Sequence, residues 1–151
     1  MGSLSTLHAD LEALTGKMSI EDLRHVETNE IRLIAGHYVR GVQRCIMALL
    51  TERQSRPIVS KESLAWFFTG LPLEQAVNHP DYQGPKWLVR WFDGDLVDRY
   101  GGVRMTWDER KALVVNCIRA EIARRTELQA TPSDVLSAPA QMADAMAATS
   151  A

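Results

Sequence analysis

The chain has 151 residues, 46% of them hydrophobic and 24% charged, with 17 Lys+Arg against 19 Asp+Glu and two cysteines. That length predicts one domain with a substantial core. The composition excludes a disordered chain and a disulfide scaffold, and no apolar run approaches the roughly 20 residues of a membrane helix. No basic-then-apolar leader opens the sequence, which with two unpaired cysteines leads to the expectation of a cytoplasmic protein.

In chain order, Leu4, Leu7, Leu11 and Leu14 recur at three- and four-residue steps and predict a short amphipathic helix over 5–14. Gly16 is placed to end it in a left-handed conformation. Ser19-Ile-Glu-Asp22 has the form of a capping box and opens a second helix through Leu23 and Val26, broken at Thr28-Asn29. Residues 29–54 carry the clearest periodicity. Ile31, Ile34, Ala35, Tyr38, Val39, Val42, Cys45, Ile46 and Leu49 fall on an arc of about 140°, which predicts one long helix as the spine of the fold. Gly36 and Gly41 lie inside it and point to a close backbone crossing, and Pro57 ends it.

Ser60 to Gly70 reads as a short helix carrying Trp66, Phe67 and Phe68, and Pro72 starts a further turn. Residues 79–86, with Pro80, Gly84 and Pro85, read as a loop. Residues 87–100 admit two readings. Pro85 at a first helical position leads into Trp87, Leu88, Trp91 and Phe92 as a helix, whereas Asp93-Gly94 is a hairpin signal. Pairing across that turn sets Arg90 against Val97 and Leu88 against Arg99, so neither face is cleanly apolar and the helix is favoured. Thr106-Trp-Asp-Glu109 is a full capping box and opens a helix to about Thr126. Leu113, Val114, Val115, Cys117, Ile118 and Ile122 make more than half its circumference apolar, so it is covered on two sides by the core or by a partner.

From Gln129 onward the chain has no aromatic residue and no Lys or Arg. The expected organisation is therefore a helical domain over 1–128 and an Ala-rich tail over 129–151, disordered or ordered by a partner. The expected fold is all-α: a single compact bundle of five to seven helices around two long helices, with the tail peripheral.

Familiar catalytic signatures are missing: no phosphate-binding glycine loop, no His-Glu-x-x-His, no Cys-x-x-Cys and no nucleophile elbow. The leading expectation is accordingly not an enzyme, and no cofactor is expected. Asp93, Asp95 and Asp98 form a weak metal candidate, with three carboxylates near a turn and Arg90 and Arg99 beside them in sequence to neutralise two. Cys45 and Cys117 lie on apolar faces and read as small hydrophobes. Trp66, Phe67 and Phe68 cannot all face one way on a single helix, so part of the cluster is a candidate partner anchor, joined by Met142 and Met146 in the tail.

The near-neutral total conceals an uneven distribution. Residues 29–56 hold five arginines against two glutamates, and residues 1–28 hold two basic groups against five acidic ones. Arg32, Arg40 and Arg44 share a face of the predicted spine, with Arg53 and Arg56 at its exit. The plain reading is a solvated face paired with the acidic N-terminal segment. The alternative is a phosphate-contacting stripe.

Val26-Glu-Thr-Asn-Glu-Ile-Arg-Leu-Ile resembles the Thr-x-x-Ile/Leu-Arg helix start of the small all-helical subunits of CRISPR ribonucleoprotein effectors. Those subunits are of similar size, are non-enzymatic and contact nucleic-acid backbone. The likeness spans one short segment and shapes the second of three functional expectations. The first is a non-catalytic interaction or assembly subunit of a larger cytoplasmic complex, binding a protein partner or itself. The second is a nucleic-acid-backbone binder using the arginine face. The third is a small enzyme with an acidic metal site.

Overall fold

The computed structural model describes residues 2–144, with side chains described to Gln129. The described residues form seven α-helices and one hairpin. These are α1 Leu4–Lys17, α2 Ile20–Thr28, β1 Val39–Arg40, β2 Gln43–Arg44, α3 Ile46–Leu50, α4 Lys61–Thr69, α5 Leu73–Ala76, α6 Pro80–Phe92 and α7 Trp107–Asp144. Single 3-10 turns lie at Glu30–Arg32 and Asp98–Tyr100. The all-α expectation holds, and among the described residues no helix is long and apolar enough to cross a membrane.

Helix starts follow the capping signals. The Ser19 hydroxyl accepts the Asp22 N–H at 3.1 Å. Thr106 and Glu109 cap reciprocally, the Glu109 N–H reaching Thr106 Oγ1 at 3.1 Å and the Thr106 N–H reaching Glu109 Oε1 at 2.8 Å. Gly70, at φ +69°, closes α4 in a left-handed conformation, at the end expected for this helix from its sequence.

Two local expectations are corrected. Gly16 does not end α1, which continues through Lys17 and closes at Met18. Residues 79–86 are not a loop either, because α6 begins at Pro80. The first turn of a helix needs no N–H from proline, and His79 Nδ1 accepts the Asp81 N–H at 3.1 Å as the cap. Pro85 then sits inside the helix and has no N–H to give the Asp81 carbonyl. Burial of Tyr82 before it and of Leu88, Val89, Trp91 and Phe92 after it outweighs that missing bond. Helix, not hairpin, is also the outcome for residues 87–92.

The largest correction concerns the predicted spine. No helix runs over 29–54; its place is taken by a 3-10 turn, a hairpin and the five-residue α3. Gly36 and Gly41 take φ of +88° and +60°, which a right-handed helix does not allow. Gly41 and Val42 form a two-residue turn that sets Val39 opposite Arg44 and Arg40 opposite Gln43. Glycine at the first turn position with positive φ, and no positive φ at Val42, is the pattern of a type II′ hairpin. The apolar periodicity breaks accordingly: Ile31 is 84% exposed and Val42 70% exposed. Arg32, Arg40 and Arg44 therefore do not share a helix face.

The core centres on α3, whose five residues are all buried. A helix apolar all round needs cover on every side, and α2, α6 and β2 supply it. The first half of α7 lies against α1, α2 and α6. Val114, Val115 and Ile118 are buried, with Leu113, Cys117 and Ile122 packed beside them, so the wide apolar face of α7 is covered by the domain itself. Trp107 meets Phe92 edge to face at 5.1 Å. Arg125 donates to the Thr15 and Met18 carbonyls at 2.8 and 2.7 Å, placing a cation on the C-terminal end of α1. Asp10 on α1 accepts from Arg99 at 2.7 and 2.9 Å and from the Tyr100 hydroxyl at 2.7 Å, tying the second 3-10 turn to α1.

One carboxylate organises the segment that replaces the spine. Glu52, just past α3, accepts from both terminal nitrogens of Arg32 at 2.8 and 2.5 Å, and Arg44 Nε stands 3.1 Å away. His25 Nε2 lies 2.7 Å from Glu52 Oε1 and carries the shared proton, since an ionised carboxylate only accepts. Arg32 also donates to the Val42 carbonyl at 2.7 Å, and Arg44 to the Gly41 carbonyl at 2.5 Å. Arg32, His25 and Arg44 together hold the Glu52 carboxyl down at about 2. The stability this provides is present above the ordinary glutamate value of 4.5 and is lost as pH falls from there toward 2. Glu52→Gln should lower unfolding free energy by about 1–2 kcal/mol at pH 7 in urea titrations. The gap between variant and wild type should close as pH drops through that window.

Candidate functional site

The aromatic cluster separates as its helical spacing requires. On α4, Phe68 is 8% exposed in the core and Phe67 packs partly buried at its edge, the two rings meeting at 5.0 Å and 67°. Trp66 points the other way and is 50% exposed. The anchor expected among Trp66, Phe67 and Phe68 therefore reduces to Trp66. Met142 lies on α7 beyond the described side chains, and Met146 lies outside the described residues.

Trp66 overlooks a shallow groove of about 620 Å³ between α4 and α5, lined with it by Pro72, Leu73, Val77, Glu62 and Glu74. Ser60 fixes this geometry by capping α4 through a reciprocal box with Ser63. Gly70 then turns the chain sharply, and Pro72 caps α5. The floor is apolar, and both charged rim residues are acids. Glu62 and Glu74 are both exposed beside the indole, and neither makes an ion pair among the described residues.

The candidate arginine stripe is dispersed. Arg32 and Arg44 are committed to Glu52 and to the carbonyls of the hairpin turn. Arg53 pairs with the buried Asp22 at 3.2 Å, and Gln54 takes the other oxygen of that carboxylate at 3.1 Å. Arg119 bridges Glu27 and Glu30 at 3.3 and 2.8 Å. Arginine pairing with the acidic N-terminal segment is thus real, through tertiary contacts and not along one helix. Arg40, on the exposed β1, and Arg56 are the two members of the set without an ion pair among the described residues. The segment resembling a CRISPR-subunit helix start forms the end of α2 and the following 3-10 turn, not the beginning of a helix.

The three aspartates serve three separate roles. Asp93 closes α6 and accepts the Gly36 N–H at 2.7 Å. Burial raises its pKa, against the lowering effect of that hydrogen bond. Asp95 pairs with Arg90 at 2.6 Å, and Asp98 opens the second 3-10 turn. Among the described residues no group of three or more His, Cys, Asp or Glu side chains is placed to hold a metal. Cys45 is buried as the cap of α3, and burial pushes its thiol up to about 11, far from a thiolate nucleophile at neutral pH.

Sequence reasoning did not single out Glu52 or the acidic rim of the Trp66 groove. Glu52 is one of two glutamates in a basic stretch, and its partners come from positions 25, 32 and 44. No protein-family model, curated protein or solved structure matches this chain.

Trp66 and Phe68, two residues apart, should respond oppositely to truncation. Phe68→Ala should cost about 3–5 kcal/mol of stability through the cavity it leaves. Trp66→Ala should change stability by about 1 kcal/mol or less in the same denaturation measurement.

Proposed function

We propose that this protein is a non-catalytic interaction module, an assembly subunit. In this proposal the Trp66 groove receives an apolar side chain of a partner protein, flanked there by lysine or arginine. The observation that carries the proposal is the half-exposed indole on a capped helix, above an apolar floor and between two solvent-facing glutamates. An exposed tryptophan forgoes the favourable transfer of its ring from water, and a partner side chain in the groove recovers it. Tryptophan at the edge of a pocket is a recurrent centre of binding energy. Glu62 and Glu74 supply selection by charge, favouring a basic flank and repelling an acidic one.

The test is selection from a randomised peptide display library on the immobilised protein, followed by fluorescence anisotropy on the enriched peptides. Enriched sequences should pair an aromatic or aliphatic residue with a neighbouring Lys or Arg. Trp66→Ala should weaken them at least about tenfold, and Glu62→Lys with Glu74→Lys should invert the charge preference. Enrichment of acidic peptides, or binding unchanged by Trp66→Ala, would overturn the proposal.

A further inference from the structure

A second concavity lies on the other side of α5, between α4, α6 and the loop before the hairpin. Its volume is about 480 Å³, within the range of small-molecule sites. Leu64, Leu73, Val77 and Val89 form its apolar wall. Its polar groups converge from three separate parts of the chain: Tyr38 from the loop, Lys61 from the start of α4, and Tyr82 and Lys86 from α6.

Four of those polar groups are not committed to a hydrogen bond or an ion pair among the described residues. Tyr82 is 3% exposed as a residue, and no hydrogen bond joins its hydroxyl, or that of Tyr38, to another described residue; neither oxygen is sealed from solvent, so both are open to a ligand in the cavity. Lys61 and Lys86 also lack a carboxylate partner among the described residues; Lys86 instead lies over the Trp87 ring at 4.6 Å. The other charged lining groups are engaged. Arg90 pairs with Asp95, and Asp93 accepts the Gly36 N–H. Both phenols are protonated donors at neutral pH, and burial raises their pKa further from it.

We infer that this cavity binds a small amphipathic monocarboxylate, its hydrocarbon body against Leu64, Leu73 and Val89 and its carboxylate between Tyr82, Tyr38, Lys61 and Lys86. Two hydroxyl donors and two ammonium groups without a carboxylate partner among the described residues match the acceptor-only chemistry of a carboxylate. The apolar wall selects a ligand with a hydrocarbon tail over a fully hydrophilic anion. This site is separate from the Trp66 groove, shares only Leu73 and Val77 with it, and does not depend on the interaction reading.

Octanoate, with 1-octanol as the uncharged control, is the probe, and calorimetric titration and thermal unfolding are the readouts. The wild type should bind octanoate saturably with one site and a raised Tm, and octanol at least tenfold more weakly. Tyr82→Phe, and separately Lys61→Met with Lys86→Met, should each weaken octanoate at least tenfold, with circular dichroism confirming the fold. Should Tyr82→Phe fail to fold, the exposed-side lysine pair decides. Non-saturable binding, equal affinity for octanol, or octanoate affinity unmoved by the lysine substitutions would overturn the inference.

Discussion

The carboxylate of Glu52 is the constraint on which the middle of this fold depends. It takes the guanidinium of Arg32 through two nitrogens, the Nε of Arg44 and the imidazole of His25, groups that come from a 3-10 turn, a strand and a helix. A two-stranded hairpin of two residues per strand has little stability of its own. Here its turn carbonyls are held by the same arginines that Glu52 fixes, so the hairpin exists because the ion cluster does. The cluster in turn is positioned by α3, whose five buried residues bring Glu52 to the edge of the core. Removing one partner leaves the others partly desolvated, which is why such networks cost more to break than they appear to contribute.

This arrangement also decides what the surface offers. Arginine is concentrated in residues 29–56, yet Arg32, Arg44 and Arg53 are drawn inward to carboxylates, and Arg119 and Arg125 stitch α7 to the N-terminal helices. The near-balance of charge in the composition is realised as pairing across the fold. Among the charged groups that make no ion pair in the described residues, two sets are more telling: two glutamates beside an exposed indole, and two lysines beside two phenols. Each set surrounds an apolar surface, which is the combination that separates a binding face from an ordinary solvated one.

Local signals in the sequence were legible at several helix ends, though not at Gly16 or at His79-Pro80. Ser19, Ser60 and Thr106 cap their helices, Gly70 and Pro72 separate α4 from α5, and the helix over 107–126 is found there with α7. The misreading at 29–54 came from treating periodicity as sufficient. Nine apolar residues fell on one arc, but the arc left out Met47 and Leu50, which α3 buries with Ile46 and Leu49. An uninterrupted Ile46-Met-Ala-Leu-Leu50 run signals a short helix enclosed on all sides, and Gly41 ahead of Val42 signals the turn. Of the candidate site, Trp66 was legible as a member of a cluster. Its companions were not, because which of three adjacent aromatics stays outside depends on where the core lies.

By itself, then, the sequence determined the all-α class, most helix starts, and the charge asymmetry, since capping, proline geometry and apolar content act within a few residues of chain. Tertiary structure alone decided that residues 29–54 fold back as a turn, a hairpin and a buried helix, because the interactions stabilising that path close on Glu52 from positions 8 to 27 residues away. It likewise decided which polar groups meet in the second cavity. What a hydroxyl or ammonium meets is set only by what surrounds it in space, and the surroundings of Tyr82 are assembled from Tyr38, Lys61 and Lys86, three parts of the chain that nothing in their sequence spacing joins.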